Sequence, residues 1–246
     1  MDIGKRLHEI WNNDYIATLP SLIKERGYTY ADNVKSDILI TGINPSFREN
    51  DKPGVFHGPI NTLLTDNKWD NYFGPIKKML KDKEIDLREK SDYLDIFYFR
   101  ERNQNFLKKY ILNNQEGIRF VIDQLNLTMH IIEDIVRPKL LIVKNKESWA
   151  YFGKLYDEKG WVWMGYKYEY IQSTKCGEVY KITGLLDSNE RIAPEINHSN
   201  IIGSYVLFSK HINKYTSINE RPTPKLLKSI LNWYDKENIY DNLACI

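Results

Sequence analysis

The sequence predicts an α/β fold with a parallel sheet. Three observations carry this expectation. Short apolar runs, Asp37–Thr41, Tyr93–Phe99 and Pro138–Val143, have the branched and aromatic bias of buried strands. Segments with apolar residues at helical spacing alternate with them. The joint between the Pro138–Val143 run and the helix that follows is short, as in parallel strand–helix units. The 246 residues carry no Gly/Ser/Pro-rich linker and no internal repeat, so one domain covering 1–246 is expected.

The elements follow in chain order. From Ile3 to about Arg26, Leu7, Ile10, Trp11, Ile16, Leu19, Leu22 and Ile23 recur at helical spacing, so residues 1–36 form a helical amino-terminal segment closed by Gly27. The first strand is Asp37–Thr41. A loop from Phe47 to Pro59 follows it, and loops of that length are usually functional or disordered. Trp69–Leu80 is a helix and Tyr93–Phe99 the second strand. Leu107–Val136 is helical with a break near Asn113, Asn114 and Gly117. Pro138–Val143 is the third strand, and a helix runs from Lys146 to about Tyr156. Tyr166–Ile171 and Glu178–Leu185 alternate as a hairpin, Arg191–Asn197 is the fourth strand, and residues 222–236 form an amphipathic terminal helix introduced by Pro222 and Pro224.

Composition excludes several classes. Cys176 and Cys245 are too far apart for a C-x-x-C pair, so neither a metal nor an iron–sulfur centre is expected. No Ser-His-Asp order, Gly-rich phosphate loop or His-Glu-x-x-His helix is present. No run approaches membrane-spanning length and the start is polar, so a cytoplasmic protein without a membrane partner is expected, as a monomer. A net charge of +2 permits nucleic acid as a partner without arguing for it. Lys77, Lys78 and Lys81, like Lys225 and Lys228, are read first as solvated helix faces.

Chemistry is expected at the carboxyl ends of the strands, where open α/β sheets bind ligands. The first strand ends in Gly42-Ile43-Asn44-Pro45-Ser46, which on its own also suits a turn. Asn197-His198-Ser199-Asn200 follows the last expected strand. These two motifs, in this order and with the Pro138–Gly153 strand and helix between them, resemble the uracil-DNA glycosylase superfamily. The first is similar to the Gly-Ile/Met-Asn-Pro-Gly/Ser signature of its mismatch-specific and single-strand-selective branches. The second departs from the family's His-Pro-Ser type by its Ser199-Asn200.

The resemblance implies a three-layer α/β/α sandwich around a mainly parallel four-stranded sheet. It also implies hydrolysis, without metal or cofactor, of the N-glycosidic bond to uracil or a related damaged or mismatched base in single- or double-stranded DNA. Cleavage builds positive charge on the sugar and negative charge on the departing base. Asn44 would then orient a water, and Gly42, Ile43, Pro45 and Ser46 would line the cavity. His198, with Ser199 beside it, would donate to the base carbonyl, and the base would leave the stack to reach the cavity.

Phe56 is the first candidate for the stacking ring, with Phe47 and Phe73 as rivals and His57 a possible neighbour. Asn103 or Gln104 would read the base edge, since an amide offers a donor and an acceptor. Asn145 suits a helix cap better than that role. Arg100 and Arg102 would clamp a phosphate or else pair with Glu101 in a surface turn. Ile201 and Ile202 would wedge into a duplex or, the preferred reading, begin a buried helix through Val206, Leu207 and Phe208.

Two alternatives stand beside the glycosylase. One is a catalytically silent module of the same fold that binds nucleotide, nucleic acid or protein. The other is an enzyme acting on free nucleosides or nucleotides.

Overall fold

Four runs of apolar residues, Ile38–Gly42 (β2), Ser91–Asp95 (β4), Leu140–Lys144 (β5) and Tyr205–Ser209 (β8), lie side by side and parallel in the computed structural model. The structure describes residues 1–58, 60–103, 105–154 and 162–244, the side chains of 60, 61, 218 and 237–244 excepted. The hairpin Tyr166–Thr174 (β6) and Gly177–Leu185 (β7) joins β8 antiparallel. The sheet is therefore mixed and six-stranded, in the order β4-β2-β5-β8-β7-β6, in place of the expected four strands. Thr29–Tyr30 (β1) and Phe56–His57 (β3) make a separate two-stranded parallel sheet, so the Phe47–Pro59 loop has a strand of its own.

Burial on both faces explains why the central strands read as continuous apolar runs. Leu39, Leu94, Leu141, Val143, Val206 and Phe208 pack with Leu7 and Ile10 of α1 (Ile3–Trp11) and with Phe120, Val121 and Leu125 of α5 (Gln115–His130). Their neighbours on the other face, Ile38, Ile40, Tyr93, Leu140, Ile142 and Leu207, pack against Leu64 of α3 (Ile60–Thr65), Ile76, Met79 and Leu80 of α4 (Phe73–Leu80) and Leu227, Ile230 and Leu231 of the terminal helix. Each such side chain contributes about 1.5–3 kcal/mol relative to exposure.

Most expected elements are present with shifted ends. Ser21–Arg26 (α2) and a 3-10 turn at Asp14–Thr18 complete the amino-terminal helices. The Leu107–Val136 region breaks as expected: π-helical turns at Leu107–Ile111 and Ile131–Val136 flank α5, and Asn114 caps α5 by accepting from Gly117 N at 2.7 Å. Lys146–Tyr151 is α6; its expected extension over Leu155 and Tyr156 lies outside the described residues. The terminal helix, α7, spans Pro224–Ala244, longer than expected.

The fourth strand is a correction. Arg191–Asn197 is irregular because its carbonyls wrap a buried cation: the Arg191 guanidinium donates to Met164 O at 3.2 Å, to Ala193 O at 3.5 Å and to Ile196 O. The strand is instead Tyr205–Ser209, so Val206, Leu207 and Phe208 form a strand and not the expected helix; ahead of it Ile201 is buried in the core and Ile202 is exposed.

Candidate functional site

The carboxyl ends of β2 and β4 open into a cleft of about 480 Å³. Asn44, Pro45 and Ser46 line it from the tip of β2, Tyr93 and Asp95 from β4, and Tyr72 and Phe73 from the start of α4. Arg48, Lys68 and Lys77 add cations, and Asp51, Asp66 and Asp70 add carboxylates. Asp70 sets the helix entry by accepting from the N–H groups of Tyr72 (2.7 Å) and Phe73 (2.8 Å), which have no partner within the helix.

The tip of β2 is held against the chain that continues from β4. Ile96 N donates to Gly42 O (3.2 Å), Phe97 N to Ile43 O (2.8 Å) and Glu101 N to Pro45 O (2.9 Å). Asn44 adds side-chain links, its Nδ2 donating to the carbonyls of Glu101 (2.6 Å), Pro45 (3.0 Å) and Phe99 (3.4 Å). Three carbonyl partners fix which end of the carboxamide is nitrogen.

Four titratable side chains form a chain at this end of the sheet. Lys144 Nζ donates to the Tyr72 hydroxyl (2.7 Å), the Tyr72 and Tyr93 hydroxyls are 2.5 Å apart, and Tyr93 donates to Asp95 Oδ1 (2.7 Å). A phenol has one hydrogen, so Tyr93, having given its own to Asp95, must accept from Tyr72. The chain runs one way, from ammonium to carboxylate. Strand register places it: Gly42 pairs with Asp95 across β2 and β4, while Thr41 pairs with Val143, so Lys144 and Asp95 end the two neighbours of β2. Gly42 leaves room for them, because a Cβ there would overlap Asp95 Oδ1 and the Tyr93 hydroxyl.

Burial sets the charges. It pushes the Asp95 carboxyl up to about 6, against the pull of the Tyr93 hydrogen bond and the Lys144 charge. It brings Lys144 down to about 8, opposed by the Asp95 charge. Both tyrosines are raised, by burial first and then by Asp95. His211, two residues beyond the carboxyl end of β8, is lowered by desolvation and then by the Lys144 charge.

The expected site residues divide. Asn44, Pro45 and Ser46 line the cleft, and Gly42 lies beneath its floor. Ile43 points into the core on the other face. Among the three candidate rings only Phe73 lines the cleft, edge-on to Tyr72 and Tyr93 with centroids 5.2 Å away from each. Phe56 and Phe47 instead sandwich Arg100, whose guanidinium carbon is 4.3 and 4.8 Å from their centroids. Arg100 is buried and donates to Lys52 O (2.7 Å) and Arg26 O (3.2 Å), which commits it to the fold and not to a phosphate. Glu101 pairs with Arg26. Arg102 and Asn103 are exposed, and Asn103 forms a turn by accepting from Asn105 N at 3.0 Å. Gln104 lies outside the described residues. His57 stacks on Tyr30 and faces Asp32 at 2.8 Å, away from the cleft. Asn145 caps α6, accepting from Glu147 N at 3.0 Å.

His198 and Ser199 are not brought to Asn44. Ser199 donates to Glu133 Oε1 (2.9 Å), and Asn200 N donates to Glu133 Oε2 (2.6 Å). Asn200 also shares a groove with Asp37, Lys139 and Ser204, at the amino ends of β2, β5 and β8. A five-residue strand at about 3.3 Å per residue separates that end from Asn44. The expectation fails because the last strand begins after His198, so the histidine that follows it is His211.

Asp95, Lys144, Tyr72 and Tyr93 were not anticipated. Their signal was a charged residue closing or interrupting a buried run: Asp95 within Tyr93-Leu94-Asp95-Ile96-Phe97, and Lys144 after Leu140-Leu141-Ile142-Val143. Among the described residues no group of three or more His, Cys, Asp or Glu is placed to hold a metal, and no helix is long and apolar enough to cross a membrane. The chain matches no family model, characterised protein or solved structure.

Proposed function

We propose that this cleft binds a nucleobase and that the protein is a base-excision glycosylase of the uracil-DNA glycosylase kind. Its substrate would be the N-glycosidic bond to uracil or a related damaged or mismatched base, on a three-layer α/β/α frame whose four parallel strands carry an added hairpin. The observation that supports this is the meeting of Asn44, Pro45 and Ser46 with Phe73 and Asp95 around one cleft. A ring offers a stacking face, a carboxylate offers an edge contact, and the carboxamide is the polar group nearest the strand tip. Asn44 lines the cleft at the tip of β2 and is the carboxamide that would orient the attacking water. Arg48 and Lys68, both exposed at the cleft, suit the phosphates beside a flipped nucleotide.

A second reading, binding without cleavage, is favoured by two observations: the Asn44 amide braces the backbone, and His198 lies at the far end of the sheet. Both readings are tested by incubating the protein with single-stranded and duplex DNA carrying uracil, mismatches or damaged bases, followed by alkali and a sequencing gel. Strand breaks at the modified base that Asn44→Ala abolishes support the glycosylase. Intact strands across the panel, with nucleotide binding retained, support the binding module.

A further inference from the structure

The four carboxylates at the cleft are not equivalent. Asp66 faces Lys77, Asp70 holds the first turn of α4, and Asp51 accepts from Arg48 N (2.8 Å) with Arg100 at 3.7 Å. Asp95 has a tyrosine hydroxyl on Oδ1 and, among the described residues, no donor on Oδ2. That hydroxyl cannot turn to serve a ligand, because Tyr72 and Lys144 behind it fix its hydrogen on Asp95. At the cleft Asp95 therefore acts as an acceptor.

An acceptor beside the Phe73 ring discriminates between base edges. Guanine presents two adjacent donors, N1–H and the 2-amino group, which meet Oδ2 and the second lone pair of Oδ1, the first being taken by Tyr93. Uracil presents N3–H between two carbonyl oxygens, and a carboxylate opposite one of them is repelled and left without a partner. The exposed Arg48 and Lys68 add charge for a phosphate. We propose that Asp95 makes this cleft selective for a nucleobase presenting adjacent N–H donors, the guanine-type edge, over a uracil-type edge. The inference rests on the reading that the cleft binds a base, and within the glycosylase reading it moves the substrate from uracil to a damaged or mismatched base with a guanine-type edge.

Calorimetric titration of the full chain with guanosine 5′-monophosphate and with uridine 5′-monophosphate at neutral pH tests it without any variant. The guanine nucleotide is expected to bind about tenfold or more tightly than the uridine nucleotide. Asp95→Asn, which supplies a donor in place of one oxygen, should reduce guanine-nucleotide affinity by about the same factor and leave the uridine nucleotide unchanged or improved. Equal or tighter binding of the uridine nucleotide, binding of neither at millimolar concentration, or an unchanged ratio in a folded Asp95→Asn protein overturns the inference. Guanine preference without excision of any base would remove the glycosylase reading and leave this one standing. Uracil excision indifferent to Asp95→Asn would do the reverse.

Discussion

Lys144 and Asp95 end the two strands that flank β2, and the hydroxyls of Tyr72 and Tyr93 bridge the space between them in a single file of hydrogen bonds. The charges compensate each other through that file. Removing one partner leaves the other in a poorly solvated place, whereas removing both leaves neither. Because a partner left alone can become neutral, with Asp95 at about 6 and Lys144 at about 8, Lys144→Met and Asp95→Asn are each expected to cost about 1–2 kcal/mol at neutral pH, mainly the broken hydrogen bond, and the double variant to cost less than the sum. Urea unfolding of the four proteins measures the coupling. Additive losses would mean that the two charges do not interact.

The same pair predicts a pH response with a definite sign. Asp95 is raised from 3.8 to about 6, so the stability it contributes is complete below its unfolded value and is lost as the pH rises through about 6. Lys144 is lowered from 10.5 to about 8, so its contribution is complete above 10.5 and is lost as the pH falls through about 8. Between about 6 and 8 both are charged and depend on each other. Besides Lys144, Asp95 faces Tyr93 from its own strand and Tyr72 from α4, while Lys68, Lys77 and Asp66 share the cleft. Lys144→Met takes away a charge that favours the carboxylate. The Asp95 midpoint, followed by carboxyl carbon NMR, should move upward from about 6 in this variant. A midpoint that stays in place would show that the ammonium is not felt at Asp95.

The strands that carry this pair were legible in the sequence, and the pair was not. Runs such as Leu140–Val143 announce themselves because both faces are buried, and a hydrophobic pattern records burial. What lies at the end of a run depends on register and neighbours, which no pattern records. Gly42 was singled out as a cavity residue, but its function is to leave space for Asp95 and Tyr93, and those come from a strand fifty residues on. The misplacement of His198 has the opposite origin. Arg191–Asn197 looks like a strand because Ala193 and Ile196 are buried and Ile192 is partly so, yet they are covered by a loop folded around the Arg191 guanidinium. Tyr205–Ser209, with the same apolar character, takes the place beside β5.

Gly42→Ala tests the close approach at the floor. The added Cβ meets Asp95 Oδ1 and the Tyr93 hydroxyl, held by the hydrogen-bond file, so the neighbours cannot simply turn away. A loss of about 1–3 kcal/mol is expected from overpacking. Gly58→Ala, where no atom of the described residues lies within 4 Å of the new one, serves as the control and should be neutral in the same unfolding assay. Equal effects at the two positions would contradict the packing described for Gly42.

Asn44 and His198 should separate cleanly. Asn44→Ala removes a donor that ties Pro45, Phe99 and Glu101 together, for an expected loss of about 1–3 kcal/mol. Asn44→Asp should do at least as badly, because a carboxylate cannot donate to those carbonyls. His198→Ala, at the other end of the sheet and exposed, should change neither stability nor nucleotide binding in the cleft. Thermal unfolding and the calorimetric titration read both quantities. Loss of cleft binding in His198→Ala would place that imidazole at the site after all.

Arg100 distinguishes a structural cation from a phosphate clamp. Its guanidinium lies near the Phe47 and Phe56 rings and donates from one nitrogen to two carbonyls, so a lysine keeps the charge and loses the guanidinium's contact with the rings. Arg100→Lys is expected to cost about 1–2 kcal/mol of stability, with cation–π contact as the larger part of the loss. A phosphate clamp would behave differently, because a charge-conserving change would leave stability intact, and Arg100→Met would flatten the dependence of DNA binding on salt by about one counterion. We expect Arg100→Met to unfold earlier in urea and to keep the wild-type salt slope wherever binding is measurable. A reduced slope in a protein of unchanged stability would return Arg100 to the nucleic-acid surface.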